Sequence, residues 1–177
     1  YCYKSPVKPP CGKKRDAILP HRETRHHRRG QPLHFMTDSP GSLLPQPFTS
    51  LIGRDREIEE ICALLRSTSG SLLTLVGPAG VGKTRLAIAV AHAIAPEFAH
   101  GVVFVDLAPL TDASQVLPTI ARTLGSTDSE HAPIQLASYL SERSVLLVID
   151  SFEQVVDAGP ALNACLAGAR VLITSQK

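Results

Sequence analysis

The stretch Leu72-Leu73-Thr74-Leu75-Val76-Gly77-Pro78-Ala79-Gly80-Val81-Gly82-Lys83-Thr84 decides the fold. Its first five residues form a short apolar run of strand length. Gly77 to Thr84 then fits the pattern G-x-x-x-x-G-K-[S/T]. A helical pattern follows, with Leu86, Val90 and Ile94 on one face and alanines beside them, and Pro96 ends it. Chemistry explains the spacing. A triphosphate needs several donors converging on a small volume. Glycines let the backbone curl until its N–H groups point inward, and the next helix adds its N-terminal dipole. Lys83 would reach the β- and γ-phosphates, and the Thr84 hydroxyl would ligate Mg²⁺. At average residue frequencies a chain of this length matches the pattern by chance roughly 0.5% of the time. Its position between a strand and a helix sharpens it further.

Working outward, the same alternation continues. Before the loop, Asp55 to Arg66 reads as a helix, with Ile58, Ile61, Cys62 and Leu65 at i, i+3, i+4 and i+7, broken by Ser69-Gly70-Ser71. After it, Val102-Val103-Phe104-Val105 is a second strand closing on Asp106. Val116, Leu117, Ile120, Ala121 and Leu124 mark a helix whose regular part starts near Leu117, because Pro118 fits only a first turn. Pro133 opens another helix through Leu136, Tyr139 and Leu140. Val145 to Ile149 is a third strand, ending on Asp150. Phe152 to Leu166 reads as mostly helical with an interruption at Gly159-Pro160, and Val171 to Thr174 is a fourth strand. Continuous apolar strands alternating with amphipathic helices predict βα units and a parallel sheet covered on both faces.

In a parallel sheet the C-terminal strand ends open on one edge, where ligands bind. Asp150 caps a five-residue aliphatic run 67 residues after Lys83. It is therefore the candidate acid near a Thr84-bound Mg²⁺. The bland alternative is an Asp that caps the following helix. Asp106 sits similarly but has no pattern behind it, so capping or loop hydrogen bonding is its expected role.

Composition bounds the rest. The chain has 177 residues, 44% apolar and 19% charged, with no Trp and 5% aromatics, so one domain with an aliphatic core is expected. The longest apolar runs are five or six residues, against about 20 for a membrane-spanning helix. No secretory signal pattern is present, and the expected location is cytoplasmic. Residues 1–35 carry nine Lys/Arg and two Asp/Glu, while residues 36–177 carry nine and fourteen. Residues 1–40, with six prolines and four histidines, are expected to be a disordered basic tail. The domain is expected to begin near Met36, the only methionine, and to occupy 41–177 as a partial nucleotide-binding fold. His21, His26, His27 and His34 with Cys2 and Cys11 match no defensible zinc spacing. The basic run from Arg22 to Arg29 reads as a solvated tail before it reads as a nucleic-acid or lipid contact. Cys62 and Cys165 lie in apolar helical patterns and read as buried small hydrophobes.

Leu51-Ile52-Gly53-Arg54-Asp55-Arg56-Glu57, the glycine loop, Val148-Ile149-Asp150-Ser151-Phe152-Glu153-Gln154 and Leu172-Ile173-Thr174-Ser175 occur in that order. Together they resemble the nucleotide-binding domain of STAND-class signal-transduction ATPases, related to NB-ARC and AAA+ domains. These domains often occur in large LuxR-type or antibiotic-regulatory-type transcriptional regulators. The resemblance covers about residues 45–176. It implies a P-loop NTPase three-layer sandwich with strand order 2-3-4-1, and a fifth strand beyond strand 1 that this chain lacks. It implies ATP or ADP with Mg²⁺ as ligand. The nucleotide-binding set would be Ile52, Gly53 and Arg54 near the adenine, with Gly77, Pro78, Ala79, Gly80, Val81, Gly82, Lys83, Thr84 and Arg85 around the phosphates. Thr84 and Asp150 would hold Mg²⁺. Asp150, as the Walker B acid, and Glu153 are the candidate catalytic residues.

Two departures from the family pattern bear on turnover. Relatives often carry Asp or Asn after the Walker B Asp, where this chain has Ser151, whose hydroxyl cannot serve as a carboxylate base. Relatives commonly read T-S-R where this chain has Thr174-Ser175-Gln176, so a cation that would offset transition-state charge is replaced by an amide. Binding is therefore expected to outweigh hydrolysis. The leading reading is a nucleotide-dependent regulatory switch whose sensor and DNA-binding parts lie outside this chain. DNA would be met only through those parts, self-association stays open, and no membrane is involved. A truncated, marginally stable domain with an exposed edge strand is expected. The alternatives are a small-molecule P-loop kinase, for which no arginine cluster is available, and a non-binding remnant acting as an interaction module, against which intact Lys83 and Thr84 argue.

Overall fold

The computed structural model describes residues 44–46, 51–67, 72–126, 128, 131–166 and 169–176. The expectations for the N-terminal tail, its His/Cys cluster and the Ser69-Gly70-Ser71 break fall outside these residues. The helix α1 (Asp55–Ser67) opens the fold, with Asp55 and Glu57 in its first turn and Arg66 in its last, each complementing the helix dipole. Then come β1 (Leu72–Val76), α2 (Lys83–Ile94), β2 (Val102–Asp106), α3 (Val116–Thr123), α4 (Ala132–Ser141), β3 (Leu146–Asp150), α5 (Gly159–Cys165) and β4 (Arg170–Ser175). Pro118 lies in the first turn of α3, and Pro133 opens α4, both positions where the missing N–H costs nothing.

The four strands form one parallel sheet in the order β1-β4-β3-β2, which is the expected 2-3-4-1 order. Leu75 pairs with Thr174, Ile149 with Ile173, and Asp106 with Asp150. Side chains alternate across the sheet and supply two cores. On one face Leu73, Leu75, Val102, Leu146, Val148 and Leu172 pack with α1 and α2. On the other, Val103, Val105, Leu147, Ile149, Val171 and Ile173 pack with α3, α4 and α5. All five residues of β3 are buried, as a strand sandwiched between helix layers requires. In β1 only Leu73 and Leu75 are buried, because β1 lies at the sheet margin and the α3–α5 core reaches only as far as Leu72.

Two local readings need correction. Gly159-Pro160 does not interrupt a helix. Phe152–Ala158 is a 3₁₀ segment kinked at Val155 (φ −139°, ψ 39°), and Pro160 instead starts α5, as its fixed φ favours. Cys165 is half-buried at the edge of its core, whereas Cys62 is fully buried, and burial raises the pKa of both thiols. Among the described residues, every buried side-chain nitrogen or oxygen has a hydrogen-bond partner, and no helix is long and apolar enough to cross a membrane.

Candidate functional site at the carboxyl edge of the sheet

The site is built where β1, β4 and β3 end side by side. Past Val76 the chain curls through Gly77 to Gly82 before α2 begins at Lys83. Gly80 and Gly82 take φ of 77° and 85°, the left-handed region that an L side chain resists, and a Cβ at either would meet no atom within 4 Å. Glycine is thus demanded here by backbone direction and not by crowding. Gly82 is the N-cap of α2, and no side-chain hydrogen bond from it caps that helix start.

Lys83 is buried, 8% exposed, and its ammonium donates to the carbonyls of Gly77 (2.9 Å) and Pro78 (2.8 Å). These bonds brace the loop and keep a buried cation satisfied. Thr84, one residue on, donates through Oγ1 to both carboxylate oxygens of Asp150, at 2.8 and 3.0 Å. The sheet explains the meeting. Asp150 follows Leu146 and Val148 on the face that packs against α1 and α2, and Thr174 follows Leu172 on the same face. Both are therefore presented to the first turn of α2. Asp150 is 6% exposed and also accepts a hydrogen bond from Thr174 Oγ1.

A cleft of about 220 Å³ opens over this arrangement. Ala79, Gly80, Gly82, Lys83, Thr84 and Arg85 line it from the loop and α2, Ser151 and Glu153 from the segment after β3, and Thr174 and Gln176 from the end of β4. Ser151 is the one non-glycine residue with positive φ (62°) among the described residues. Glu153 accepts the Gln176 N–H through Oε2 at 2.9 Å, so its carboxylate ties the 3₁₀ segment to the end of β4.

The structure thus brings Lys83, Thr84, Arg85, Asp150 and Glu153 to one edge. Ile52, Gly53 and Arg54 do not line this cleft; Ile52 is 89% exposed, Gly53 has φ 72°, and Arg54 pairs with Glu57 at 3.0 Å. Asp106 accepts the Ala108 N–H at 2.9 Å, a local loop contact. Thr174 was not legible as a site residue. Its signals are its place in the Leu172-Ile173-Thr174-Ser175 segment and a polar β-branched residue closing an apolar strand, at the same height as an Asp closing the neighbouring one.

The donor set suits a magnesium nucleotide. A hydroxyl and a carboxylate in contact are hard oxygen ligands, too few for an all-protein cage, which fits an ion shared with phosphate oxygens. Among the described residues no group of three His, Cys, Asp or Glu offers a metal site of another kind.

Comparison with known proteins agrees with this reading of the fold. The chain is 41% identical over 112 residues to a Mycobacterium tuberculosis protein named as an HTH-type transcriptional regulator, covering 60% of this chain and 12% of that protein. It is 30% identical over 151 residues to the regulatory protein AfsR of Streptomyces coelicolor, covering 75% of this chain and 15% of AfsR. The chain therefore spans only a small part of these relatives' length. The crystal structure of Cdc6p from Pyrobaculum aerophilum superposes with a TM-score of 0.50 at 16% identity, over 78% of this chain and 42% of that one, which places the fold among α/β P-loop NTPases. The AAA ATPase domain family matches residues 50–141, just over half the sequence and including the whole glycine loop, and the chain belongs to that family.

Proposed function

We propose that this chain binds Mg-ATP or Mg-ADP at the Gly77–Thr84 loop and serves as a STAND-class, NB-ARC-like nucleotide switch within a transcriptional regulator. The observation that carries the proposal is the pairing of a buried Lys83 ammonium on the loop carbonyls with Thr84 on Asp150. Both side chains line the cleft at the carboxyl edge of the sheet, which supports this reading. Lys83 would exchange two carbonyl contacts for phosphate oxygens. Thr84 and Asp150 would supply the metal-side oxygens. The bound ion offsets charge on the phosphate oxygens. Lys83 and Arg85 are balanced in charge by Asp150 and Glu153, so a polyanion entering this cleft gains from bringing a cation with it.

Slow turnover follows from the same cleft. Ser151 offers a hydroxyl where a base would be useful, Gln176 is neutral, and the Glu153 carboxylate already accepts the Gln176 N–H. The relatives named as regulators support a role in which the state of the nucleotide, and not its consumption, is read by domains outside this chain. A cytoplasmic location accords with that role.

Isothermal titration of Mg-ADP and Mg-ATP into wild type and Lys83→Ala tests the proposal. Loss of a charge-assisted contact costs about 1.5–3 kcal/mol, so Lys83→Ala should bind at least about tenfold more weakly. Equal affinity in the two proteins would refute it.

A further inference from the structure

We propose that Thr174 is the positioning residue for Asp150, one buried hydroxyl that fixes both the direction of the carboxylate and the turn that follows it. The inference rests on the nucleotide reading above and extends it to a residue that makes no phosphate or metal contact in that reading. Thr174 is 2% exposed. Its Oγ1 donates to Asp150 Oδ1 and accepts the Ser151 N–H at 3.1 Å. A hydroxyl has one proton. With that proton on the carboxylate, the oxygen lone pairs are left for the Ser151 N–H, so the polarity of the relay is set. Two consecutive residues, one through its side chain and the next through its backbone, are thereby tied to a single atom of the neighbouring strand.

The register makes the tie rigid. Thr174 and Asp150 each stand one step past the Ile149–Ile173 pair, and Thr174 itself pairs with Leu75 of β1. The hydroxyl therefore sits on the central part of the sheet and not on a loop. Packing alone does not call for it, since valine has the same shape and a buried hydroxyl is unfavourable unless bonded. Thr84 holds the same carboxylate from the helix side at 2.8 and 3.0 Å. In the nucleotide reading Thr84 has a second duty as a metal-side ligand, whereas Thr174 has none. Thr174 is thus the contact free to hold Asp150 in the loaded site. Partners that orient a metal-side ligand typically matter 10- to 100-fold in metal affinity.

The test titrates a fluorescent ADP into the full chain, once with Mg²⁺ and once with EDTA. It compares wild type, Thr174→Val and Thr174→Ser, each checked for folding by circular dichroism. Thr174→Val should lose about 10- to 100-fold of the tightening that Mg²⁺ gives, read as the ratio of its affinities with Mg²⁺ and with EDTA. Thr174→Ser, which keeps the hydroxyl, should retain that tightening. A folded Thr174→Val with the wild-type Mg²⁺ effect overturns the inference. If the valine variant does not fold, Thr174→Ser decides: the wild-type effect supports the inference, and its loss in a folded protein overturns it. Wild type that binds no ADP in either buffer is a separate result, one that defeats the nucleotide reading and this inference with it.

Discussion

Replacing Ser151 by glycine should make the protein more stable, although nothing is added to the core. Ser151 is held at φ 62°, ψ 40°, in the left-handed helical region. That conformation costs an L residue about 1–2 kcal/mol, and glycine adopts it freely. Glycine also has more freedom to lose on folding, about 0.5–1 kcal/mol. The balance is a gain of about 0.5–1 kcal/mol, which for a chain of 150–250 residues raises Tm by about 1–4 °C. Asparagine, which visits this region several-fold more often than other side chains, should also stabilise, with no added entropy cost. Valine, stiff and branched at Cβ, should destabilise by about 1 kcal/mol or more. Thermal and urea unfolding of the three variants against wild type would give the order Gly and Asn above Ser, and Ser above Val. A glycine variant that melts below wild type, or a valine variant that equals it, would refute the account of Ser151 as a strained position.

Three further outcomes are expected. Gly82→Ala, at φ 85° with open space around the would-be Cβ, should destabilise by about 0.5–1 kcal/mol, the backbone strain less the entropy that alanine saves, read as a lower urea midpoint with an unchanged slope. Leu172→Ala, fully buried between α2 and the sheet, should cost about 2–5 kcal/mol, enough to leave a large unfolded fraction by circular dichroism at 37 °C. Glu97 is held below the usual carboxylate range by its bidentate hydrogen bonds with Arg66, so its contribution is present above about pH 4.3 and is lost as pH falls through the lowered folded value. Glu97→Gln should therefore make the acid limb of the stability profile slightly shallower and less salt-sensitive, and an unchanged acid limb would count against the pair.

The strands were legible because helices cover both faces of the sheet, so Val145 to Ile149 had to be apolar without alternation, and only at the margin, in β1, does a half-exposed pattern return. Lys83 and Thr84 were legible because a loop that curls its amides inward needs glycine at fixed places. Asp150 was legible as a neighbour of the loop because it closes an aliphatic run at the edge where parallel strands end, inside a segment that carries the family resemblance, whereas Asp106 closes a similar run and makes only a local loop contact. What escaped is what depends on side-chain bonding between strands far apart in sequence. Thr174 looks like any β-forming residue until the register sets it beside Asp150. Glu153 reads as a candidate base from sequence, and only the fold shows that its Oε2 accepts the Gln176 N–H and ties the 3₁₀ segment to the end of β4. The helical pattern after β3 hid a 3₁₀ segment, since apolar spacings of three and four serve both geometries and only the kink at Val155 separates them.

The strand order carries one more consequence. β4 is the last of the four strands to be synthesised, yet it occupies the slot between β1 and β3. Until it slides in, no strand fills the gap between β1 and β3, and the curled loop can reach the aspartate only through the first turn of α2. Closing that gap joins segments about a hundred positions apart, the kind of long-range event that sets the pace of maturation. Any phosphate tail taken up by the cleft would thereby report that β4 has found its berth.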